Sequence, residues 1–167
     1  MSVETSMEDA LCTYAEGPDR LEKALGGLSE ADIGMQPPGK SGWAIRQMVH
    51  HLTEGDSMWT TYMKIAMVSS GSSFAADWYP GNNEWAERMN FEERQVAPAL
   101  ALFRANREYV VQGLRSVPAA WERSLIFKHS DDDETYRYTV GDIVALLTRH
   151  VNEHIDEING IRQTLGR

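Results

Sequence analysis

Cysteine, basic residues and long apolar runs are all scarce in this chain. Cys12 is the single cysteine among 167 residues, so neither an intrachain disulfide nor a cluster of thiolate metal ligands can form. Lysine and arginine number 16 against 25 acidic residues, and the net charge of -9 argues against nucleic acid and anionic membranes as partners. No apolar run approaches the roughly 20 residues that span a bilayer, and the stretch MSVETSMEDA has neither a basic start nor the apolar region of a signal peptide. We therefore expect a cytoplasmic protein whose metal ligands, if any, are nitrogen and oxygen atoms.

Four stretches with helical periodicity are separated by segments rich in glycine and proline. A chain of this length predicts one domain over residues 1–167. The first helix is interrupted at Pro18, the second begins near Trp43, and the third has Pro98 at its start or at a kink. The fourth opens at Thr139, which has an aspartate three residues later in the capping-box spacing. Because each amphipathic helix needs a partner for its apolar face, the sequence predicts an all-α four-helix bundle.

Two segments between the helices do not follow the helical pattern. Residues 69–90, between the second and third helices, are rich in glycine, serine, asparagine and aromatic side chains, and we expect a long loop that covers a site or an interface. Its residues Trp78, Tyr79 and Trp85 either roof a site, seal the loop against the bundle or form a dimer contact. The segment from Trp121 to Tyr138 has strand-like ends around an acidic turn, which indicates a short hairpin.

Two histidines lie four residues apart in the fourth helix, and two adjacent ones lie in the second. An α-helix turns about 100° per residue, so His150 and His154 both project toward the apolar side of their helix. Side chains at this spacing have Cβ atoms about 5–6 Å apart, close enough for both rings to bind one ion. His51 projects to the flank of the apolar face of the second helix, whereas His50 projects away and is predicted to lie on the surface. His51 is therefore the candidate third ligand.

The spacing alone leaves two interpretations of these histidines open. They are either separate half-buried polar residues, each satisfied by a neighbour or by water, or the ligands of one metal ion. Three imidazoles without a fourth protein ligand leave coordination positions for water or substrate, which is typical of catalytic rather than structural metal sites. The ligand set does not distinguish zinc, nickel, iron, manganese or copper.

Three further ionisable residues have alternative interpretations. Asp56 projects near the centre of the apolar face of the second helix, where it either orients an imidazole, pairs with Arg107 or caps a loop. Glu54 follows His51 by three residues and either approaches the metal or points away from the core. His129 lies in the expected hairpin and is interpreted as structural or exposed rather than as a fourth ligand.

The stretch SGWAIRQMVHHLTEGDSMW, from Ser41 to Trp59, resembles the Trp-and-His-Leu segment of the DinB-like superfamily, especially its branch of bacillithiol S-transferases. That resemblance implies an up-down-down-up bundle with a divalent metal on His51, His150 and His154. Asn152 stands in a region where that branch carries extra histidine, so we expect a different substrate pocket. Further matching segments follow in the same order: Leu28 to Ile33, Glu84 to Trp85, Phe127 to His129, the Thr139-Val140 opening of the last helix, and the histidine pair.

The resemblance and the histidines together imply a metal-dependent thiol S-transferase that conjugates a low-molecular-weight thiol to an electrophile for detoxification. A free thiol has a pKa of about 8.5, so metal coordination is needed to form the thiolate at neutral pH. Tyr62, Tyr79 and Trp85 are the candidate substrate-binding residues. Two alternatives stay open: a hydrolase that uses metal-bound water, with Asp56 or Glu54 as base, and a non-catalytic stress or interaction protein. Related bundles often pair through helix faces, so a homodimer is expected.

Overall fold

A computed structural model describes residues 3–37, 42–131 and 133–167 and places most of them in helices. The long helices of the bundle are α1 and α2 (Val3–Ala15 and Gly17–Leu25), α4 (Ile45–Val68), α6 (Val96–Ser116) and α7 (Val140–Thr164). The short helices are α3 (Glu30–Gly34), α5 (Asn82–Arg88) and a 3-10 turn (Ala120–Glu122). The strands are β1 (Ser72–Ala75), β2 (Ser124–Lys128) and β3 (Thr135–Thr139).

The four-helix bundle is confirmed, with α1 and α2 together forming its first helix. That helix is interrupted as expected: α1 ends at Ala15, and α2 begins at Gly17 with Pro18 in its first turn. There proline costs no hydrogen bond, because the first amides of a helix have no intrahelical acceptor. α4 packs against α6 and α7, and α7 also packs against α1 and α2. The helix that carries two of the three candidate ligands therefore packs against α1, α2 and α4.

The ends of the last two long helices follow the sequence signals. α6 begins at Val96, so Pro98 lies in its first turn and causes no kink. At the start of α7, Asp142 donates its backbone N–H to the Thr139 hydroxyl over 3.0 Å, and its carboxylate accepts the Thr139 N–H over 2.9 Å. This is the expected capping box. Because Thr139 also ends β3, the strand leads directly into the helix that carries His150 and His154.

The structure adds a three-stranded sheet to the predicted bundle. The expected hairpin is present as β2 and β3, which pair antiparallel. The expected loop at 69–90 is only partly a loop, because it contains β1 and α5. β1 pairs parallel with β2 and places Phe74 opposite Phe127. A parallel partner is reached only through a long crossover, and four residues give too short a pattern for the alternation of side chains to predict it.

A buried ion pair lies at the centre of the bundle, between two clusters of apolar residues. Arg107 on α6 donates from Nε to Asp56 Oδ1 on α4 over 3.0 Å, and both side chains are 1% exposed. Its other nitrogens donate to the backbone oxygens of Tyr14 at 2.8 Å and Leu147 at 3.1 Å. The guanidinium therefore binds α1, α4 and α7 at once. Of the three interpretations of Asp56, pairing with Arg107 is the one that the structure shows.

The predicted exposure of His50 is wrong. His50 is 2% exposed, its Nε2 lies 3.2 Å from the backbone oxygen of Arg94, and its ring stacks on Phe91. Burial lowers its pKa below the ordinary value. The helical projection placed His50 away from the bundle correctly, but it took no account of residues 91–95, which connect α5 to α6 and cover this side of α4.

Among the described residues, no helix combines the length and apolar character needed to cross a bilayer.

Candidate metal centre and adjoining cavity

The three candidate ligands converge although two helices supply them. His51 Nε2 on α4 lies 3.0 Å from His150 Nε2 on α7, and His154 Nε2 lies 3.2 Å from the same atom. In the described part of the chain they are the one set of at least three potential ligands whose donor atoms all lie within 4.8 Å of one another. The structure therefore brings together all three histidines that the sequence selected, with His150 between the other two.

The hydrogen bonds of the triad favour lone pairs, rather than N–H groups, at its centre. His154 Nδ1 lies 2.9 Å from Glu157 Oε2, and a carboxylate accepts the Nδ1 proton, so His154 Nε2 carries a lone pair. His150 Nε2 faces two nitrogens but can hold only one proton, so it cannot donate to both. At least one close nitrogen pair is therefore left without a proton between its members. A cation would remove that repulsion.

Burial and mutual repulsion keep two of the rings neutral. Desolvation, followed by the charges of the other two rings, lowers the pKa of His51 to about 3. Desolvation also lowers the pKa of His150 to about 4, with further contributions from His154, Arg107 and Arg149. Metal ligation requires the neutral imidazole, so both rings are in the ligating form at neutral pH.

The spacing of the nitrogens fits a first-row divalent ion. Ligands about 2.0–2.1 Å from zinc at tetrahedral angles lie about 3.3 Å from one another. The two closest nitrogen pairs, at 3.0 Å and 3.2 Å, are near that value. Three nitrogen donors fit several such metals, so the geometry supports a divalent metal without identifying it.

Two residues that support the triad were not found in the sequence. Glu157 holds His154 through Nδ1, and its signal was present, because residues three apart on a helix lie on the same side. The Trp43 and His51 rings pack in a T-shaped arrangement with centroids 4.7 Å apart, and Trp43 Nε1 donates to Asn83 Oδ1 at the start of α5 over 3.0 Å. That contact joins segments 40 residues apart, so no local pattern could indicate it.

A cavity of about 700 Å³ lies beside the triad, with His51 and His150 in its lining. This volume is typical of small-molecule sites, which are mostly apolar with a few polar groups. The remaining wall comes from α4, α7, the end of β2 and the segment between β1 and α5. Six aromatic side chains take part in it: Trp59, Tyr62, Trp78, Tyr79, Trp85 and Phe127.

The candidate substrate-binding residues all line this cavity. Trp78, Tyr79 and Trp85 form a mutual cluster with ring centroids 5.6 Å to 5.9 Å apart, and the Tyr79 hydroxyl donates to Asn82 Oδ1. These three side chains thus pack against one another within residues 78–85 and also form one wall of the cavity. Tyr62 packs on the other wall and belongs to α4. Burial raises the pKa of Tyr62 and of Tyr79, so both hydroxyls stay protonated at neutral pH.

The weaker candidates occupy three different environments. Glu54 lines the cavity, but its carboxylate lies 3.5 Å from Arg94 Nη1 and is not among the converging donor atoms. Asp56 binds Arg107 in the core and is not part of the cavity lining. His129 does line the cavity, and its Nε2 lies 2.9 Å from the Tyr138 hydroxyl. It is thus neither a member of the triad nor simply exposed.

The chain resembles known proteins in sequence and in fold. The DinB superfamily profile matches residues 13–158. YfiT from Bacillus subtilis, described as a probable metal-dependent hydrolase with an unusual four-helix bundle topology, superposes with a TM-score of 0.82 at 21% identity, covering 99% of this chain and 90% of that one. A mutant of mycothiol-dependent maleylpyruvate isomerase superposes with a TM-score of 0.68 at 13% identity, and the match covers 95% of this chain and 63% of that one. No curated protein matches significantly.

Proposed function

The chain belongs to the DinB superfamily, and from that premise we propose that it is a divalent-metal-dependent enzyme that conjugates a small thiol to an electrophile. The observation that carries the proposal is the convergence of three imidazole nitrogens at the edge of an aromatic-walled cavity. The fold relatives support a metal and a small-molecule substrate, since one is described as a probable metal-dependent hydrolase and the other as a mycothiol-dependent isomerase.

Each part of the site has a role in such a reaction. A divalent cation, when bound, supplies Lewis-acid chemistry that lowers the pKa of a thiol or a water molecule in contact with it. His51, His150 and His154 would hold the ion, and Glu157 would keep His154 in the ligating tautomer. The aromatic walls would exclude water and hold the electrophile beside the thiol. In the overall reaction an S–H bond and the bond to the leaving group break, while a C–S bond and a bond from hydrogen to the leaving group form.

Hydrolysis is the second candidate, and the fold relative YfiT favours it. Hydrolysis of this kind needs a base within hydrogen-bond reach of the attacking water. The two residues considered for that role are engaged elsewhere, Asp56 with Arg107 at 3.0 Å and Glu54 with Arg94 at 3.5 Å. Thiol transfer has no such requirement, because deprotonation of the thiol is enough to make it nucleophilic. Thiol transfer is therefore the first candidate and hydrolysis the second.

The metal proposal is tested by adjacent histidine variants. His51→Gln removes a candidate ligand, whereas His50→Gln makes the same change one residue earlier, in a ring that contacts Arg94 and Phe91 instead. Both proteins, purified without a metal-binding tag, are reconstituted with zinc, nickel, iron or manganese, and metal per chain is measured. We expect about one equivalent of at least one metal in the wild type and in His50→Gln, and a large loss in His51→Gln. Equal metal content in the two variants would refute the site.

The reaction is tested with the metal-reconstituted protein and a panel of thiols. Bacillithiol, mycothiol, glutathione and coenzyme A are each offered with monochlorobimane, and formation of the fluorescent conjugate is followed. His154→Ala serves as the site variant. We expect acceleration by the wild type with at least one thiol and none by the variant. Equal rates for both proteins with every thiol would exclude the transferase proposal. The hydrolase proposal would then be tested with a panel of ester and amide substrates.

A further inference from the structure

His129 lies in the cavity wall in a fixed orientation. It follows β2, and its Nε2 lies 2.9 Å from the hydroxyl of Tyr138 on the neighbouring strand β3. Its ring centroid is 5.0 Å from Phe127, 6.4 Å from Trp59 and 5.8 Å from Tyr136. Aromatic rings and one hydrogen bond thus hold the imidazole where it borders the cavity.

The hydrogen bond to Tyr138 determines what the imidazole offers to a ligand. Burial raises the pKa of Tyr138, so the phenol keeps its proton at neutral pH. A phenol is the stronger acid of the pair and an imidazole nitrogen the stronger base, so the Tyr138 O–H donates and His129 Nε2 accepts. A neutral imidazole that accepts at Nε2 carries its hydrogen at Nδ1. Nδ1–H is therefore the hydrogen-bond donor of His129, a residue of the cavity wall.

The charges around the cavity decide which acceptor suits that donor. Glu54, Asp131 and Glu153 line the cavity together with one cation, Arg149. Glu153 lies 3.7 Å from Arg149, and Glu54 lies 3.5 Å from Arg94, so both of these guanidinium groups are already paired. A carboxylate or phosphate on the ligand would find neither arginine free, whereas an uncharged oxygen needs only an N–H donor. The aromatic walls favour a flat apolar body for the same ligand.

We propose that His129, oriented by Tyr138, binds the uncharged acceptor oxygen of an aromatic electrophile, such as the carbonyl oxygen of an aryl ketone. This inference rests on the proposed function and names the class of its electrophile. His129 contributes a hydrogen bond and transfers no proton. In the alkylation of 2-mercaptoethanol by phenacyl chloride, the C–Cl and S–H bonds break, the C–S bond forms, and the proton and chloride leave to solvent.

A matched pair of electrophiles tests the donor. Phenacyl chloride and benzyl chloride are both aromatic chlorides, and only the first has a carbonyl oxygen. Each is reacted with 2-mercaptoethanol and the zinc-reconstituted protein, and kcat/KM is divided by the uncatalysed rate constant. We expect His129→Phe to lower this ratio roughly three- to ten-fold for phenacyl chloride and less than about two-fold for benzyl chloride, the effect of one lost hydrogen bond. His129→Asn, which keeps an N–H donor, is expected to recover part of the loss.

Two further measurements are needed. The first shows whether a variant has lost its fold or its zinc, and the second measures recognition of the carbonyl by His129 even if the protein is not a transferase. Zinc per chain and the far-UV circular dichroism spectrum should match the wild type in each variant, and Tyr138→Phe should lower the phenacyl chloride ratio less than His129→Phe. Calorimetric binding of the unreactive pair acetophenone and ethylbenzene does not depend on turnover. If the wild type accelerates neither chloride but His129→Phe weakens acetophenone alone, the transferase fails and the recognition role stands. Equal effects on both members of a pair would overturn the role of His129.

Discussion

Replacing Arg107 with methionine should be one of the most damaging single changes in the core. The change leaves Asp56 buried without its Nε–H donor and leaves the backbone oxygens of Tyr14 and Leu147 without theirs. Removing one member of a buried ion pair typically costs about 3–5 kcal/mol. We expect a loss of that size in the free energy of unfolding at about pH 8, measured by urea denaturation of metal-free protein. Asp56→Leu in the same chain should restore part of it, because no buried carboxyl then remains unpaired.

The loss should depend on pH in a definite direction. Desolvation raises the pKa of Asp56 to about 6 in the folded wild type, and Arg107 opposes that rise. Without Arg107 the folded pKa of Asp56 rises further above its unfolded value of about 3.9. A raised folded pKa gives stability that is fully present below the unfolded pKa and is lost as the pH rises through the folded pKa. The difference between wild type and Arg107→Met should therefore be smaller at about pH 5 than at about pH 8.

Arg104 offers a matched control on the same helix. It lies about one turn before Arg107 and forms surface ion pairs with Asp19 at 2.7 Å and Glu22 at 3.0 Å. Exposed pairs of this kind are worth about 0–1 kcal/mol, so Arg104→Met should change the free energy of unfolding by less than about 1 kcal/mol. The reasoning would be refuted if both variants lost equally little, or if the loss in Arg107→Met were the same at the two pH values.

Two further predictions concern single contacts. Glu157→Gln should weaken zinc binding by about 10–100-fold, measured by competition with a chromogenic chelator, because the carboxylate that orients His154 is lost; an unchanged affinity would show that Glu157 does not support the site. Gly17→Ala should destabilise the fold by about 1–3 kcal/mol, because the added Cβ would lie 2.2 Å from Arg107 Nη1. Gly160→Ala is the control, since no atom lies within 4 Å of its added Cβ, and it should be neutral or stabilising in thermal melts.

Local signals predicted the helices well. The capping box at Thr139 and the apolar periodicity of α7 both act within a few residues, and both appear as expected. The convergence of His51 with His150 and His154 was also predictable, because the apolar faces of packed helices must meet and each ligand lies near such a face. The resemblance to the DinB-like superfamily supplied the topology. The single domain over residues 1–167, the cytoplasmic location and the homodimer stay predictions.

Apart from Glu157, the features that the sequence did not predict depend on contacts between distant segments. His50 is buried by residues 91–95, β1 pairs with a strand about 50 residues later, and Trp43 reaches His51 while bonded to Asn83. A periodicity taken from one helix does not report what covers its other side. Correct assignment of His50 would have required knowing that the segment between α5 and α6 folds back over α4.

The position of Arg107 has a consequence for how the metal enters. Its partner Asp56 follows His51 by five residues on α4, and its acceptor Leu147 precedes His150 by three on α7. The axial register of these two helices is therefore set near the ligands by a contact that requires no ion. An ion arriving at the three rings should find them already in place, so the chain should refold from urea in the presence of a chelator. Metal exchange should then be limited by access through the cavity rather than by opening of the bundle.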